Sequence, residues 1–235
     1  MDFKYLYITW VGYTAILWFI IYFSRKDLRK SIVFISVVFG FLGLLFEYIH
    51  LNDWWHPQTL TGTKLGFEDF LGSFFVGGIA TGIYEYLTGS YYTNLNVSSG
   101  KVLVNNVFAI STLTLFLLLY FVFGLSSFYS QSVSCLYGVI FLCAFRSDLI
   151  KNAFISGLAM FIFGMISYPG LELIFPGFVR KFWFIEDKWY QTLIFGIPVE
   201  ESIWWFLTGT FIGPLYKFLY SKNTISGVKG IGLKL

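Results

Sequence analysis

Seven stretches of about 20 mainly apolar residues divide this chain, at 5–24, 31–51, 69–88, 104–124, 128–146, 149–170 and 199–220. A helix rises about 1.5 Å per residue, so stretches of that length are matched to the apolar layer of a bilayer. Only 12% of the residues are charged, against roughly 25% in a soluble domain. The sequence therefore predicts an all-α membrane protein, one domain over 1–235 with seven transmembrane helices. The first apolar stretch has no small-residue cleavage site and reads as a retained helix, not a signal peptide.

The two halves repeat. Gly66-Phe67-Glu68-Asp69 opens the third stretch and Pro198-Val199-Glu200-Glu201 opens the seventh. A shift of 132 positions lays Glu68 on Glu200, Asp69 on Glu201, Phe74 on Phe206, Gly77 on Gly209 and Tyr84 on Tyr216. Phe46-Glu47 and Leu171-Glu172 close the second and sixth stretches and read as a further matched pair. The expected plan is a three-helix repeat over 1–90, a linker helix over 104–124 and a second three-helix repeat over 128–220.

Charge orients the helices. Eleven lysines and arginines fall at one end of the expected bundle, among them Arg25, Lys26, Arg146, Lys151, Lys217, Lys229 and Lys234. Five fall at the other: Lys4, Lys64, Arg180, Lys181 and Lys188. The positive-inside rule then places the amino terminus outside and the carboxyl terminus in the cytoplasm. Helices three and seven run the same way, so the repeats are parallel, related by an axis along the membrane normal. Most acids, including Glu186 and Asp187, gather at the outer end.

Carboxylates near lipid need a reason. Adjacent helical residues point about 100° apart, so one acid of each pair can face a cavity while the other favours the helix start. A carboxyl group desolvated among aromatic rings holds its proton and can act as a general acid. Trp204 and Trp205 lie below the second pair and Phe75 below the first. Such a site suits protonation of an alkene, with the carbocation held on π faces and quenched at a second carboxylate. Glycines at 72, 77, 78, 82, 209 and 213 permit close helix contacts. Pro214 is expected to kink the last helix, and Pro169-Gly170 to break the sixth just before Glu172.

The run Gly196-Ile197-Pro198-Val199-Glu200-Glu201, leading to Phe206, resembles the integral-membrane lycopene cyclases, which carry a Pro-x-Glu-(Glu/Asp) motif at the start of an apolar helix. The duplicated layout is similar too. The resemblance implies non-redox cyclisation of the linear ends of lycopene, with Glu200 and Glu201 on the motif's acids. Glu68 and Asp69 keep an acidic pair in the first half, where Gly66 replaces the proline. Glu47 and Glu172 are expected to assist as base or partner, with Trp204, Trp205, Phe75 and Phe206 against the substrate.

Other chemistries fit less well. Glu47-Tyr48-Ile49-His50 has helical metal-ligand spacing, but the second half has no matching histidine. A Glu-Glu intramembrane protease has histidines downstream of its acidic pair, and none follows Glu200-Glu201 here. Lys217 lies at the cytoplasmic end, unsuited to a retinal Schiff base. Neither aspartate-rich Mg²⁺ motifs nor a dinucleotide fingerprint is present. The alternative is a small transporter or lipid-binding protein whose carboxylates take a cation or proton. No cofactor, metal or nucleic acid is expected. The expected partners are an apolar polyene or isoprenoid and membrane lipid, with a homo-oligomer left open.

Overall fold

In a computed structural model of the protein, residues 2–94, 101–184 and 193–225 are described. Lys188, Glu186, Asp187, Lys229 and Lys234, which enter the charge argument, lie outside them. Seven long helices follow one another: α1 (Leu6–Ser24), α2 (Arg29–His50), α3 (Phe67–Thr88), α4 (Lys101–Leu117), α5 (Ser127–Phe145), α6 (Ile150–Ile174) and α8 (Val199–Tyr220). The short α7 (Phe178–Phe182) sits between the last two, and a single π turn, Leu118–Val122, extends α4. Six of the long helices are apolar enough to cross a membrane, which makes this a membrane protein. The seventh, α8, has the length but more polar residues. Thirteen of its residues, including Glu200, Glu201 and Lys217, are buried in the protein, so neighbouring helices and not lipid decide what it can carry.

The centre of the bundle is α3 and α8. Each packs hard on the second helix of its own repeat, α3 on α2 and α8 on α6, and the two central helices also touch each other. Gly209 makes the α6–α8 approach possible. A Cβ there would stand 2.4 Å from the Ser156 carbonyl oxygen and 2.8 Å from Gly157 Cα. At the periphery α4 turns Leu103, Ile110 and Phe121 outward, as a lipid-facing helix does.

The chain is not wholly helical. Among the described residues two ladders appear, β1 (Tyr91–Asn94) with β4 (Lys222–Ile225) and β2 (Leu193–Ile194) with β3 (Ile197–Pro198), both antiparallel. The first ladder locates the symmetry. Tyr92 pairs with Thr224, the residue 132 positions on, and Tyr91↔Ile225 and Thr93↔Asn223 fall evenly on either side. A strand that pairs antiparallel with its own counterpart, at the counterpart residue, straddles a twofold axis.

The turns before α2 and α6 repeat as well. Arg25 grips Asp27 at 2.7 Å and Arg146 grips Asp148 at 2.6 Å. Arg25 also donates to the Ser90 carbonyl and Arg146 to that of Lys222, so each arginine ties its turn to the chain beyond the third helix. Counted from these turns, the first two helices repeat at 121 positions and the third at 132. Glu47 therefore corresponds to Tyr168, not to Glu172. The sixth helix also departs from expectation. It runs through Pro169 to Ile174 without a break. Burial of Tyr168 and Leu171 on either side outweighs the missing hydrogen bond, about 3 kcal/mol in an exposed helix. Membrane helices tolerate such a proline where neighbours pack around it. Likewise α8 continues past Pro214 to Tyr220.

Candidate active site

Both acidic pairs lie at one end of the bundle, in the first turns of α3 and α8, where negative charge is favoured by the helix dipole. All four carboxyl groups are buried. In the first pair they serve the local chain. Asp69 Oδ2 accepts from the Gly66 N–H at 2.6 Å and caps α3. Glu68 Oε1 accepts from the Leu60 N–H at 2.5 Å and pins the loop that follows α2. A Cβ at Gly66 would sit 2.2 Å from Glu68 Oε2 and 2.9 Å from Thr59 Cγ2, so a larger residue there would have to displace the Glu68 carboxyl. In the second pair, Glu201 turns into the protein. Its Oε2 accepts from the Tyr168 hydroxyl at 2.5 Å and its Oε1 from Trp183 Nε1–H at 2.9 Å.

Glu201 borders a chamber of about 80 Å³. Tyr7 and Trp10 of α1, Glu47 and His50 of α2, Tyr168 of α6 and Trp204 of α8 complete its walls. Trp54, Trp55 and Trp183 roof it. The roof is fastened across the two repeats by the Trp55↔Trp183 bridge and by hydrogen bonds from His56 N–H to Phe182 O (2.8 Å) and from Phe184 N–H to Trp54 O (3.0 Å). Among the described lining residues there is no lysine or arginine.

Below the chamber runs a larger apolar channel of about 410 Å³ between α2, α3, α4, α5 and α8. Glu47, His50, Trp10, Ser73 and Trp204 line both spaces, so the chamber is the polar head of the channel. Val38 of α2 and Leu113 of α4, which line the channel, are 37% and 48% exposed, so the channel wall on this side reaches the lipid-facing surface.

The sequence model of the lycopene cyclase family matches residues 4–87 and again 126–219, most of the chain and once per repeat. The chain belongs to the lycopene cyclase family. The two matched stretches carry α1–α3 and α5–α8, and the stretch between them holds α4. No curated protein and no solved structure matches the chain. Family membership supports a cyclase-like role on a membrane protein.

The sequence-named residues are distributed unevenly. Glu201, Glu47 and Trp204 line the chamber. Trp205 lies beside it, fully buried against Trp10, with ring centroids 6.2 Å apart. Glu200 is buried in the same turn of α8. Glu68 and Asp69 sit at the mouth of α3, with the Tyr7 side chain interacting with Asp69. Glu172 does not join them: it is exposed and accepts from the Gly177 N–H at 2.7 Å. Phe75 packs on Trp18 and Phe19 on the α1 side, and Phe206 on Phe154 on the α6 side. Neither borders the chamber or the channel.

Sequence reasoning missed Tyr7, His50, Tyr168, Trp54 and Trp183 as site residues. The spacing of 121 set by the two Arg-x-Asp-Leu turns would have paired Tyr168 with Glu47. The roof tryptophans carry no comparable signal. Among the described residues no group of three or more His, Cys, Asp and Glu side chains is placed to hold a metal.

Proposed function

We propose that this chain catalyses the non-redox cyclisation of a linear carotenoid or a related isoprenoid. The observation that carries the reading is the joining of a carboxyl-walled chamber to an apolar channel through shared residues, Glu47, His50 and Trp204. A polyene drawn from the bilayer enters between α2 and α4 and lies along the channel, with its end in the chamber. Glu201 on α8, held by Tyr168 and Trp183 with no lysine or arginine among the described lining residues, is the group placed to deliver a proton. The proton adds to the terminal alkene. The cationic carbon then takes the electron pair of an internal double bond, which closes the ring. Loss of a proton from the ring restores an alkene. One proton enters and one leaves, so the product is an isomer of the substrate.

The indole and phenol rings of Trp10, Trp54, Trp204 and Tyr7 supply the π faces that steady the passing cation. Tyr168 and Trp183 fix the Glu201 carboxyl in one orientation. The acidic end faces the outside and the carboxyl terminus the cytoplasm, as the distribution of lysine and arginine favours.

Expression in lycopene-accumulating cells, followed by pigment separation, tests the reading. Ring-bearing pigment is the expected result. A well-inserted protein that leaves lycopene untouched, and also leaves shorter linear isoprenoids untouched in membranes, overturns it.

A further inference from the structure

The proposed reaction needs a proton acceptor as well as a donor, and the donor wall of the chamber is occupied. Both oxygens of Glu201 already accept hydrogen bonds, from Tyr168 and Trp183. The opposite wall, on α2, is built differently. His50 is 8% exposed and lines both the chamber and the channel. Its ring is held edge-on to Trp54, with centroids 4.9 Å apart at 71°, and lies nearly parallel to Phe46. Its Nδ1 stands 3.8 Å from Glu47 Oε2, one helical turn earlier. Its Nε2 is buried and has no hydrogen-bond partner among the described residues. A carboxyl oxygen 3.8 Å from Nδ1 favours the tautomer that carries its proton on that nitrogen, which leaves the Nε2 lone pair free. A buried polar nitrogen without a partner, on the wall of a cavity, is costly unless something that enters the cavity meets it.

We infer that His50, oriented by Glu47, is the base that removes the ring proton and so decides which ring isomer this enzyme makes. The inference rests on the cyclase reading. In the step, a C–H bond next to the cationic carbon breaks and its electron pair becomes the new ring double bond. The proton passes to His50 Nε2, and the imidazolium then yields its Nδ1 proton towards Glu47. Nothing is oxidised or reduced. Several carbons flank the cation, and the one whose hydrogen meets the base sets the position of the double bond. His50 is therefore a catalytic residue for the second half of the reaction, and Glu47 is its positioning residue.

Full-length His50→Gln and Glu201→Gln variants, inserted in membranes and supplied with lycopene, separate the two halves. Glu201→Gln stops substrate consumption. His50→Gln still consumes substrate, but formation of the wild-type ring isomer falls roughly 100-fold, as loss of a general base does. The residual product moves to other ring isomers or to a water-quenched alcohol. Wild-type isomer made at the wild-type rate by His50→Gln overturns the inference. A wild-type protein that makes no ring at all instead overturns the cyclase reading beneath it. A His56→Gln chain treated with diethyl pyrocarbonate gives a check that does not depend on folding of the His50 variant, since the sequence has 2 histidines. Loss of the wild-type ring isomer with His50 modified, while substrate is still consumed, supports the assignment. Full activity with His50 modified, shown by mass spectrometry, overturns it.

Discussion

Glu85 and Lys217 are the same position of the repeat, 132 residues apart, and they form an ion pair with each other. Both side chains are fully buried, one on α3 and one on α8, at the end of the bundle opposite the chamber. Asn152 donates to the same Glu85 oxygen at 3.2 Å, and Arg25 donates to the Glu85 carbonyl. A twofold axis would otherwise set like against like. Opposite charges at this one position turn a repulsive contact between the halves into an attractive one.

Breaking that pair is expected to be costly. Lys217→Met leaves Glu85 buried without its partner and should lower stability by about 3–5 kcal/mol. Thermal unfolding in detergent measures it. The charge-swapped double variant, Glu85→Lys with Lys217→Glu, should recover part of the loss because the positions are related by the axis. A double variant no better than the worse single one would show that the surroundings, not the pairing, set the requirement.

Of the two motif acids, Glu201 is expected to matter more. It lines the chamber, whereas Glu200 does not. Glu201→Gln keeps an acceptor for Trp183 and should insert normally, with ring formation down roughly 100-fold or more. Tyr168→Phe removes the hydroxyl that orients Glu201 and should cost less. Equal activity in Glu201→Gln and the wild type would remove Glu201 from the donor role.

Gly209→Ala should destabilise the α6–α8 contact by about 1–3 kcal/mol, because the new methyl group meets the backbone of Ser156 and Gly157. Gly12→Ala is the control, since nothing lies within 4 Å of its added Cβ. The comparison is read as a difference in melting temperature between the two variants.

Asp53 reaches from the loop after α2 to the start of α5. Its Oδ2 accepts from the Ser127 N–H at 2.8 Å and its Oδ1 from the Ser127 hydroxyl at 2.5 Å. It thus caps a helix of the other repeat. Asp53→Ala should cost about 0.5–2 kcal/mol, and faster hydrogen exchange in the first turn of α5 would localise the loss.

Hydropathy was enough to find α1 to α6, because lipid demands long apolar runs whatever their neighbours do, while α8 has the length but more polar residues. Hydropathy still placed α8 at 199–220, where the structure has Val199–Tyr220. It ended α6 too early because a proline is read locally, while the helix is held by what packs around it. The acidic pairs gave away the duplication, and one further step from the Tyr84–Tyr216 match reaches Glu85 and Lys217. The offset of 121 for the first two helices stayed hidden, since it lies in charged turns and not in the acids. Glu172 was misplaced for that reason. The chamber was half legible. Glu201, Glu47 and Trp204 stood out by charge or by motif, but Tyr7, Tyr168 and Trp183 are aromatics in a chain where 23% of residues are aromatic. Their selection depends on which helices meet, and no local pattern encodes that.

The halves look alike but their motif acids are employed differently: Asp69 caps its own helix, and of the two acidic pairs only Glu201 lines the hollow. A symmetrical polyene offers two equivalent ends to a protein with one working pocket. Under the proposed chemistry, the molecule must back out into the bilayer and return reversed before its other terminus can react. Singly closed pigment should therefore build up first, and doubly closed pigment should follow only as the substrate pool runs down.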